Sequence, residues 1–530
     1  MSRGETQPLI QKPDGPEVLL SPSRKRILVL TTLVTTFLGT LDLTIVATCI
    51  PTISSELRTA DQEAWIGTAY LWSNVTFTPL YGRLSDLIGR RGAYLQALVL
   101  FTLGTILCGC APNFTTLVFA RFVAGMGGGG MGTVASVLIG EHFPPADRGF
   151  YQGLSFAVFG AGMGLGGPIG GWLTQNFGWR AAFYAQVPIA LAAVVLVNLV
   201  VPRGTTHGYS MGKALSQLDF GGSITLLLSI GALLQLLARS AGVTPVSQDP
   251  VSIAMAIAFI VFFLAFIYVE LKVAIRPVLP LSLLSRRTPL CVGIIAAGIA
   301  IVNFNMIYHL PTIFEIVFQE SLSRSGAHLL PNSIAMTLSA PLVGLVVKKT
   351  LRYKWATVVC CAGPVLSMAL LAQLDTRSSF AVRWLGVVPM GAGFSGLLTL
   401  TLIAMLNAVE RKDIATATGF VFVWRSLGQV FGVGLSSAVY QFSLARELTE
   451  RFDDPETIDR LRHASKAIHS LPPHAQAIAR SAFHIALRNT FLFGLAGALV
   501  VFLTSFWIGN EKLPAPEQVK TVAQDEEEAR

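Results

Sequence analysis

The stretch GRLSDLIGRRG, residues 82–92, separates two long apolar tracts with a short run of glycines and charges. Gly82 and Gly89 permit a tight turn in which the flanking segments approach closely, because glycine has no side chain to collide with them. The apolar tracts on both sides are long enough to be helices that cross a bilayer. This stretch therefore predicts a polar turn between two consecutive membrane helices.

The same stretch carries one acid among three arginines. Asp86 can lie at the start of a helix or pair with a neighbouring arginine, and Arg90 and Arg91 can reach across to the other half of the molecule. Ion pairs of this kind can form in one conformation of a protein and stabilise it, while being absent from another conformation. We therefore predict a conformational latch formed by these residues together with Arg83 and the two glycines.

The composition favours an integral membrane protein over a soluble enzyme. Hydrophobic residues make up 52% of the 530-residue chain and charged residues 13%, whereas a soluble domain carries about a quarter charged residues. Tracts such as IIAAGIAIVNF (294–304) are apolar on every face, which is typical of helices that contact lipid. The net charge of +9 fits basic cytoplasmic loops better than nucleic-acid binding.

Fourteen tracts are of the length that a membrane-spanning helix requires. The predicted spans cover residues 27–50, 64–82, 92–111, 114–138, 150–174, 180–201, 217–238, 251–270, 289–311, 326–346, 355–373, 382–406, 414–440 and 489–509. Lysines and arginines cluster in alternate short loops, which places both termini in the cytoplasm. The basic inner loops hold Arg24, Lys25, Arg26, Arg83, Arg90, Arg91, Arg203, Lys213, Lys272, Arg276, Arg286, Arg287, Lys348, Lys349, Arg352, Lys354, Arg411 and Lys412.

An internal repeat divides the spans into two halves. The segment 147–167 resembles 411–434, each with a charged loop followed by a glycine-punctuated helix. Duplicated transporter bundles show such repeats, with the substrate site between the halves. The predicted organisation is a cytoplasmic tail (1–26), a six-helix half (27–201), a linker with two extra helices (202–288), a second six-helix half (289–509) containing an outer loop of amphipathic surface helices (441–488), and an acidic cytoplasmic tail (510–530).

The segment 82–92 matches the signature loop of the major facilitator superfamily. The strings LDLTIVATCIP (41–51) and WIGTAYLWSNVTFTPLYG (65–82), with residues 308–331, resemble its fourteen-helix drug:proton antiporter family. ATCIPTISSEL (47–57) looks similar to the fungal branch of vacuolar basic amino acid transporters and multidrug-resistance proteins. The resemblance implies an all-α polytopic fold of two six-helix halves plus two linker helices.

Asp42 is the principal candidate for proton coupling, because a carboxylate at membrane depth is costly unless it serves a function. It lies about 12 Å from the outer end of its span at 1.5 Å per residue, and Arg121, in RFVAGMGGGG (121–130), lies roughly 10 Å deep. The matching depths favour an ion pair. The resemblance also implicates both residues in proton coupling, while a static structural pair is the alternative.

The sequence GAGMGLGGPIGG (160–171) resembles the motif that marks antiporters within the superfamily. Its glycines form faces of small residues that let helices approach and slide, and its proline frees a backbone carbonyl. Tight packing alone would explain the pattern physically, so antiport is implied only by the resemblance. The motif residues are Gly160, Gly164, Gly167, Pro168 and Gly171.

Two further features bear on substrate and location. Glu315 and His309, near the outer end of the ninth span, are candidates for the substrate cavity, although charged and amphipathic residues are common at span ends. In the N-terminal tail, Glu5 followed by Leu9 and Ile10 resembles an acidic dileucine sorting signal for delivery to the vacuole.

These observations predict a proton-coupled antiporter that moves small organic solutes out of the cytoplasm, as a multidrug or metabolite exporter. The alternatives are a vacuolar basic amino acid transporter and a transporter-like nutrient sensor without flux. We expect a monomer that interacts with its substrate, protons and the lipid bilayer, at the vacuolar or plasma membrane. No catalytic constellation, cofactor motif, metal-ligand spacing or nucleic-acid patch is expected.

Overall fold

The computed structural model describes residues 21–57, 64–143, 145–202, 219–240, 249–273, 281–409, 414–452, 454–463, 468 and 471–510. Within these ranges the chain is helical and contains no β-strand. The helices are α1 (Pro22–Leu57), α2 (Ala64–Ile88), α3 (Arg90–Cys110), α4 (Phe114–His142), α5 (Pro145–Phe177), α6 (Trp179–Tyr184), α7 (Val187–Val200), α8 (Phe220–Ser240), α9 (Pro250–Tyr268), α10 (Arg287–Ile316), α11 (Leu322–Ala327), α12 (Leu330–Thr350), α13 (Lys354–Ala372), α14 (Phe380–Leu385), α15 (Val388–Asn407), α16 (Ile414–Thr449), α17 (Pro455–His463) and α18 (Pro473–Ser505).

Within the described ranges, eleven helical segments are long and apolar enough to cross a membrane. Many of their large apolar side chains are exposed, as expected where lipid replaces water. The clearest case is Pro250–Val273, where only 11% of the most apolar 18-residue stretch is buried inside the protein. The chain is therefore a multi-pass membrane protein.

Helices lie at all fourteen predicted spans, but three of them differ from the rest in polarity or length. The segment Gly221–Leu236 within α8 is a shorter apolar helix, and α2 and α16 are long enough but less apolar than the eleven segments. α2 and α16 both carry polar residues that line the cavity described below, such as Asn74 and Gln429. A lower hydropathy is the physical consequence of facing a cavity rather than lipid.

The first half of the bundle is held together by glycines that allow backbones to touch. α4 packs against α2 and α3, and α1 packs against α5. In α4, a methyl group at Gly129 would lie 2.7 Å from the Asn74 carbonyl oxygen of α2, and one at Gly130 would lie 2.6 Å from Ala97 of α3. The run of glycines after Arg121 therefore serves two close helix contacts at once.

In the second half, α10 packs against α16 and α18, and α15 packs against α12 and α13. The extra pair α8–α9 lies beside α2, where the indole nitrogen of Trp72 donates a hydrogen bond to the Leu227 carbonyl at 2.8 Å. The two halves meet along α5–α12 and α2–α16.

The outer segment 441–488 differs from the predicted set of separate surface helices. α16 continues to Thr449 and α18 begins at Pro473, so both ends of this segment are continuous with the bundle helices. The short α17 lies between them, and Leu444, Leu461 and Phe483 form a small apolar core there. Amphipathic periodicity is the same in a surface helix and in a helix that extends out of the bundle, so the pattern alone does not separate the two.

The turn predicted over residues 82–92 is shorter than expected. α2 continues through Gly82 to Ile88, and the helical path breaks at Gly89, whose φ is 85°. α3 begins at the next residue. A positive φ of this size favours glycine, so Gly89 alone supplies the sharp turn.

The glycine motif of α5 presents two faces to two neighbours. Methyl groups at Gly160 and Gly164 would lie 2.7 Å from Met336 and 2.6 Å from Ser333, both on α12 of the second half. On the other face, Gly166 lies directly against the Thr44 side chain of α1. α5 therefore contacts both its own half and the opposite half through its glycine faces.

We expect Gly164→Ala to lower stability, because its methyl group would meet the Cβ atom of Ser333 rather than a flexible chain end. The free energy of unfolding should fall by roughly 1–3 kcal/mol, as overpacking usually costs. The matched control is Gly171→Ala in the same helix, where an added methyl meets nothing within 4 Å. Thermal unfolding of the detergent-purified variants measures both, and equal melting temperatures would contradict the close contact.

Candidate functional site

The structure brings Asp42 and Arg121 together across 79 residues of sequence. A terminal nitrogen of Arg121 lies 2.7 Å from Oδ2 of Asp42, and the two side chains are 1% and 0% exposed. Nε of Arg121 also donates to the Ile66 carbonyl at 3.1 Å. The pair therefore ties α1, α2 and α4 to one another inside the first half.

An aromatic ring lies beside the arginine of this pair. The Arg121 guanidinium lies 4.5 Å from the centre of the Tyr70 ring, within the range of a cation–π contact. Oδ1 of Asp42 is buried and accepts no hydrogen bond from the described residues. A carboxylate oxygen with free acceptor capacity is the atom at which a proton can be held.

A cavity of about 90 Å³ lies between the halves, large enough for a few water molecules. Four helices of the first half and α16 of the second half form its wall. Its lining includes Thr40, Tyr70, Asn74, Phe156, Arg425 and Gln429. This is the position at which duplicated transporter bundles hold their substrates.

Asp42 lies outside the cavity although its neighbours on α1 belong to it. Gly39 and Leu43 line the cavity, while Asp42 is fully buried against Arg121. Successive residues of an α-helix are about 100° apart around its axis at 3.6 residues per turn. Asp42 and Leu43 therefore face different directions, and the carboxylate faces Arg121 while Leu43 faces the cavity.

The charged residues of the predicted latch make contacts with the first half of the molecule. Arg90 contacts Asp86 at 2.5 Å and Glu141, at the end of α4, at 2.6 Å. Arg91 donates to the Asn198 side chain of α7. Among the residues that the structure describes, the partners of both arginines lie in the first half rather than across in the second half, because Glu141 of α4 and Asn198 of α7 are the acceptors beside the turn.

The ion pair between the halves at this end of the bundle involves different residues. Lys348 of α12 lies 2.8 Å from Asp147 at the start of α5, and both side chains are about half exposed. Lys348 belongs to GLVVKKTLRYK (344–354), the second-half counterpart of the turn after α2. This counterpart has no acid of its own, and the acid comes from the other half instead.

Glu315 and His309 do not line the cavity. Glu315 is partly buried in the last turn of α10. His309 is 5% exposed, its Nδ1 lies 3.0 Å from the Asn305 carbonyl, and its ring packs at 5.4 Å from that of Tyr440. Both residues thus belong to the packing of the second half in this conformation.

Arg425 is a cavity residue that sequence reasoning missed. It lies in α16, within the segment 411–434 that was recognised only as part of the internal repeat. The available signal was an arginine inside a tract that is otherwise apolar, which is the same signal that identified Arg121.

Two other features lie outside this site. The tail residues Glu5, Leu9 and Ile10 fall outside the described part of the chain. At the opposite end of α1, beyond the apolar span, Glu56 accepts hydrogen bonds from Arg180 at 2.6 Å and Trp179 at 2.7 Å. These bonds lower the pKa of Glu56 below its usual value, with that from Arg180 the larger cause.

Comparison with known proteins gives a consistent result. The family model of the Major Facilitator Superfamily matches residues 32–433. Multidrug resistance protein fnx1 of Schizosaccharomyces pombe is 34% identical, over 89% of this chain and 89% of that protein. Vacuolar basic amino acid transporter 1 of Saccharomyces cerevisiae is 29% identical, over 82% of this chain and 81% of that protein.

Among solved structures, the proton:xylose symporter XylE bound to 6-bromo-6-deoxy-D-glucose has a similar fold. Its TM-score is 0.61 at 13% sequence identity, and the match covers 94% of this chain and 99% of that chain. At this level of identity the similarity concerns the fold alone.

The buried pair generates a prediction about stability. Asp42→Ala removes the partner of a guanidinium that is 1% exposed, and such a change should cost roughly 3–5 kcal/mol. Asp42→Asn keeps an oxygen that can accept from Arg121, so its loss should be smaller. The double variant Asp42→Asn/Arg121→Gln should recover stability relative to Asp42→Ala.

Melting temperatures in detergent provide the measurement. Glu450→Ala is the control, because it removes an acid that is 56% exposed and whose partner Arg446 is 71% exposed. Exposed ion pairs contribute little to stability, so this variant should melt close to the wild type. Similar melting temperatures for Asp42→Ala and Glu450→Ala would contradict the tight burial of the Asp42–Arg121 pair.

Proposed function

This chain belongs to the Major Facilitator Superfamily, and from that membership we propose that it is a proton-coupled antiporter that moves small organic solutes out of the cytoplasm. The family consists of membrane transporters, and the relatives of this chain include a multidrug resistance protein and a vacuolar amino acid transporter. The antiport, the proton coupling and the direction of movement are proposed from the site.

The observation that carries the proposal is the buried pair of Asp42 and Arg121. The Oδ1 atom of Asp42 accepts no hydrogen bond from the residues that the structure describes. Asp42 comes one position before Leu43, which lines the cavity. Proton binding at Asp42 would release Arg121 and loosen the contact between α1 and α4. A change in protonation would thereby be linked to a change in helix packing.

Alternating access requires the two halves to separate first on one side and then on the other. In this conformation they touch on both sides of the cavity. Asp147 and Lys348 pair at one end, and Gly67 lies beside the Tyr308 hydroxyl nearer the other end. The glycine surface of α5 would let α12 slide during the transition, which agrees with the antiporter motif at Gly160, Gly164, Gly167, Pro168 and Gly171.

We also propose a membrane topology and an oligomeric state. α2, α8 and α16 would also cross the membrane, giving fourteen spans with both termini in the cytoplasm. The protein would act as a monomer and would not be an enzyme. The ion pairs of Arg90 with Asp86 and Glu141 would stabilise one end of the first half. At the same end of the bundle, the pair of Asp147 and Lys348 would break as the two halves separate.

The alternative substrate is a basic amino acid carried into the vacuole. It is supported by the similarity to vacuolar basic amino acid transporter 1 over four fifths of both chains. The exporter is supported by the comparable similarity to multidrug resistance protein fnx1. A nutrient sensor of this fold would bind a solute without moving it, so flux separates it from both.

Reconstituted vesicles with an acidic lumen provide the test of antiport. We expect the wild type to accumulate ethidium if it is an exporter of lipophilic compounds, or L-lysine if it is an amino acid transporter. Asp42→Asn cannot exchange a proton at this position, so accumulation should fall to that of vesicles without protein.

The control for this experiment is Glu56→Gln, which changes an exposed acid on the same helix and should leave accumulation unchanged. Wild-type accumulation by Asp42→Asn would remove Asp42 from the coupling mechanism. Binding of a probe without accumulation by the wild type would favour the sensor.

The location of the protein is a separate prediction. Replacing Leu9 and Ile10 with alanine should move a fluorescently tagged protein from the vacuolar membrane towards the cell surface, because adaptors would no longer bind the tail. Accumulation in isolated vesicles should stay the same. A wild type already at the cell surface would favour the exporter, and a variant that remains vacuolar would place the sorting signal elsewhere.

A further inference from the structure

Arg425 places a positive charge at membrane depth inside the bundle. It follows Ile414, the first residue of α16, by eleven positions, which is roughly 16 Å at 1.5 Å per residue. A bilayer core is about 30 Å thick, so Arg425 lies near its middle. Charged residues at this depth face a partner or a cavity and serve a function by default, and Arg425 lines the cavity between the halves.

The guanidinium of Arg425 makes no ion pair and no hydrogen bond with the residues that the structure describes, and its Nε is buried. The guanidinium carbon lies 4.1 Å from the centre of the Phe422 ring and 5.9 Å from the centre of the Phe156 ring. A cation–π contact stabilises the charge but leaves the N–H donors unused. Arg121, at similar depth, differs because Asp42 neutralises it.

The rest of the cavity wall supports an anion rather than a cation. Among the described residues that line it there is no aspartate or glutamate, so Arg425 gives the lining a net positive charge. Asn74 and Gln429 add amide groups that can donate hydrogen bonds. Gln429 follows Arg425 by four positions and therefore lies on the same face of α16.

We propose that Arg425 binds the carboxylate group of the transported solute. A guanidinium presents two parallel N–H donors that match the two oxygens of a carboxylate, and this recognition strengthens where water is excluded. The substrate class is then small solutes that carry a carboxylate, either simple organic acids or amino acids bound through their α-carboxylate. This assignment rests on the proposed function, since it makes the cavity the transport site.

The size of the cavity fits this assignment in the present conformation. A volume of about 90 Å³ admits a carboxylate group or a few water molecules but not a whole organic solute. The remainder of the solute would enter as the halves separate. Phe156 and Phe422 beside the guanidinium would then contact its apolar part.

Binding to the purified full-length protein tests the proposal without requiring transport. Two matched pairs of probes separate the sources of the carboxylate: L-lysine with L-lysinamide, and benzoate with benzamide. The wild type should bind the acid of at least one pair roughly 10- to 100-fold more tightly than its amide, the usual difference for a hydrogen-bonded charge. Preference within the lysine pair identifies amino acids, and preference within the benzoate pair identifies organic acids.

Variants connect this preference to the side chain. Arg425→Gln should bind acid and amide alike, and Arg425→Lys should keep part of the preference, because the charge remains while the two-pronged geometry is lost. Arg377→Gln, which removes an exposed arginine outside the cavity, should bind as the wild type does. Calorimetry measures each affinity, and thermal unfolding identifies a variant that fails to fold.

Several outcomes would overturn the assignment. They are equal binding of acid and amide by the wild type, a preserved preference in folded Arg425→Gln, and the absence of saturable binding for both acids. The wild-type comparison stands even if Arg425→Gln does not fold. An Arg425-dependent preference without pH-driven flux would contradict antiport alone, whereas pH-driven ethidium flux without carboxylate binding would contradict this assignment alone.

Discussion

An ionised side chain in the interior of a membrane needs a partner or a route to water, and this constraint organises the bundle. Asp42 and Arg121 satisfy it by pairing at 2.7 Å, away from the cavity and with almost no exposure. Arg425 satisfies it by facing the cavity with its guanidinium over Phe422. The first arrangement joins helices within one half, and the second leaves a positive site open at the boundary between the halves. The two arginines lie at similar depth, but the charge of Arg121 is neutralised by Asp42, whereas Arg425 faces the cavity with N–H donors still to offer.

Close backbone contact is the second condition, because it determines which helices can move. α5 touches α12 of the opposite half where Gly164 meets Ser333, and it touches α1 where Gly166 meets Thr44. Glycine at these positions lets the helix backbones approach closely. The exposed pair of Asp147 and Lys348 adds an interaction between the halves that water can replace. In the proposed mechanism, the interface between the halves would break and re-form through these contacts.

The all-helical, multi-pass fold and the superfamily were predicted correctly, because span length and the residues 82–92 are local properties of the sequence. The partnership of Asp42 and Arg121 was accessible for the same reason, since charges in apolar tracts are few and helix rise gives their depth. The pairing of Arg90 with Glu141 was not accessible, because charges are common at helix ends and only the packing of α4 against α3 selects this partner. Arg425 is visible as an arginine in an apolar tract, but only the tertiary structure shows that its helix face meets the cavity.

The ion pair and the cavity share a wall, and this suggests how proton and solute are linked. The Tyr70 ring lies under the Arg121 guanidinium at 4.5 Å and also lines the cavity. On α1, Leu43 lines the cavity one position after Asp42. Thr44 of α1 lies against Gly166 of α5 and donates to the Gly162 carbonyl at 3.3 Å, so in the proposed mechanism a shift of α5 against the opposite half would carry α1 with it. The same movement that opens the cavity around a solute would then turn the Asp42 carboxylate towards water, so that proton release accompanies solute binding.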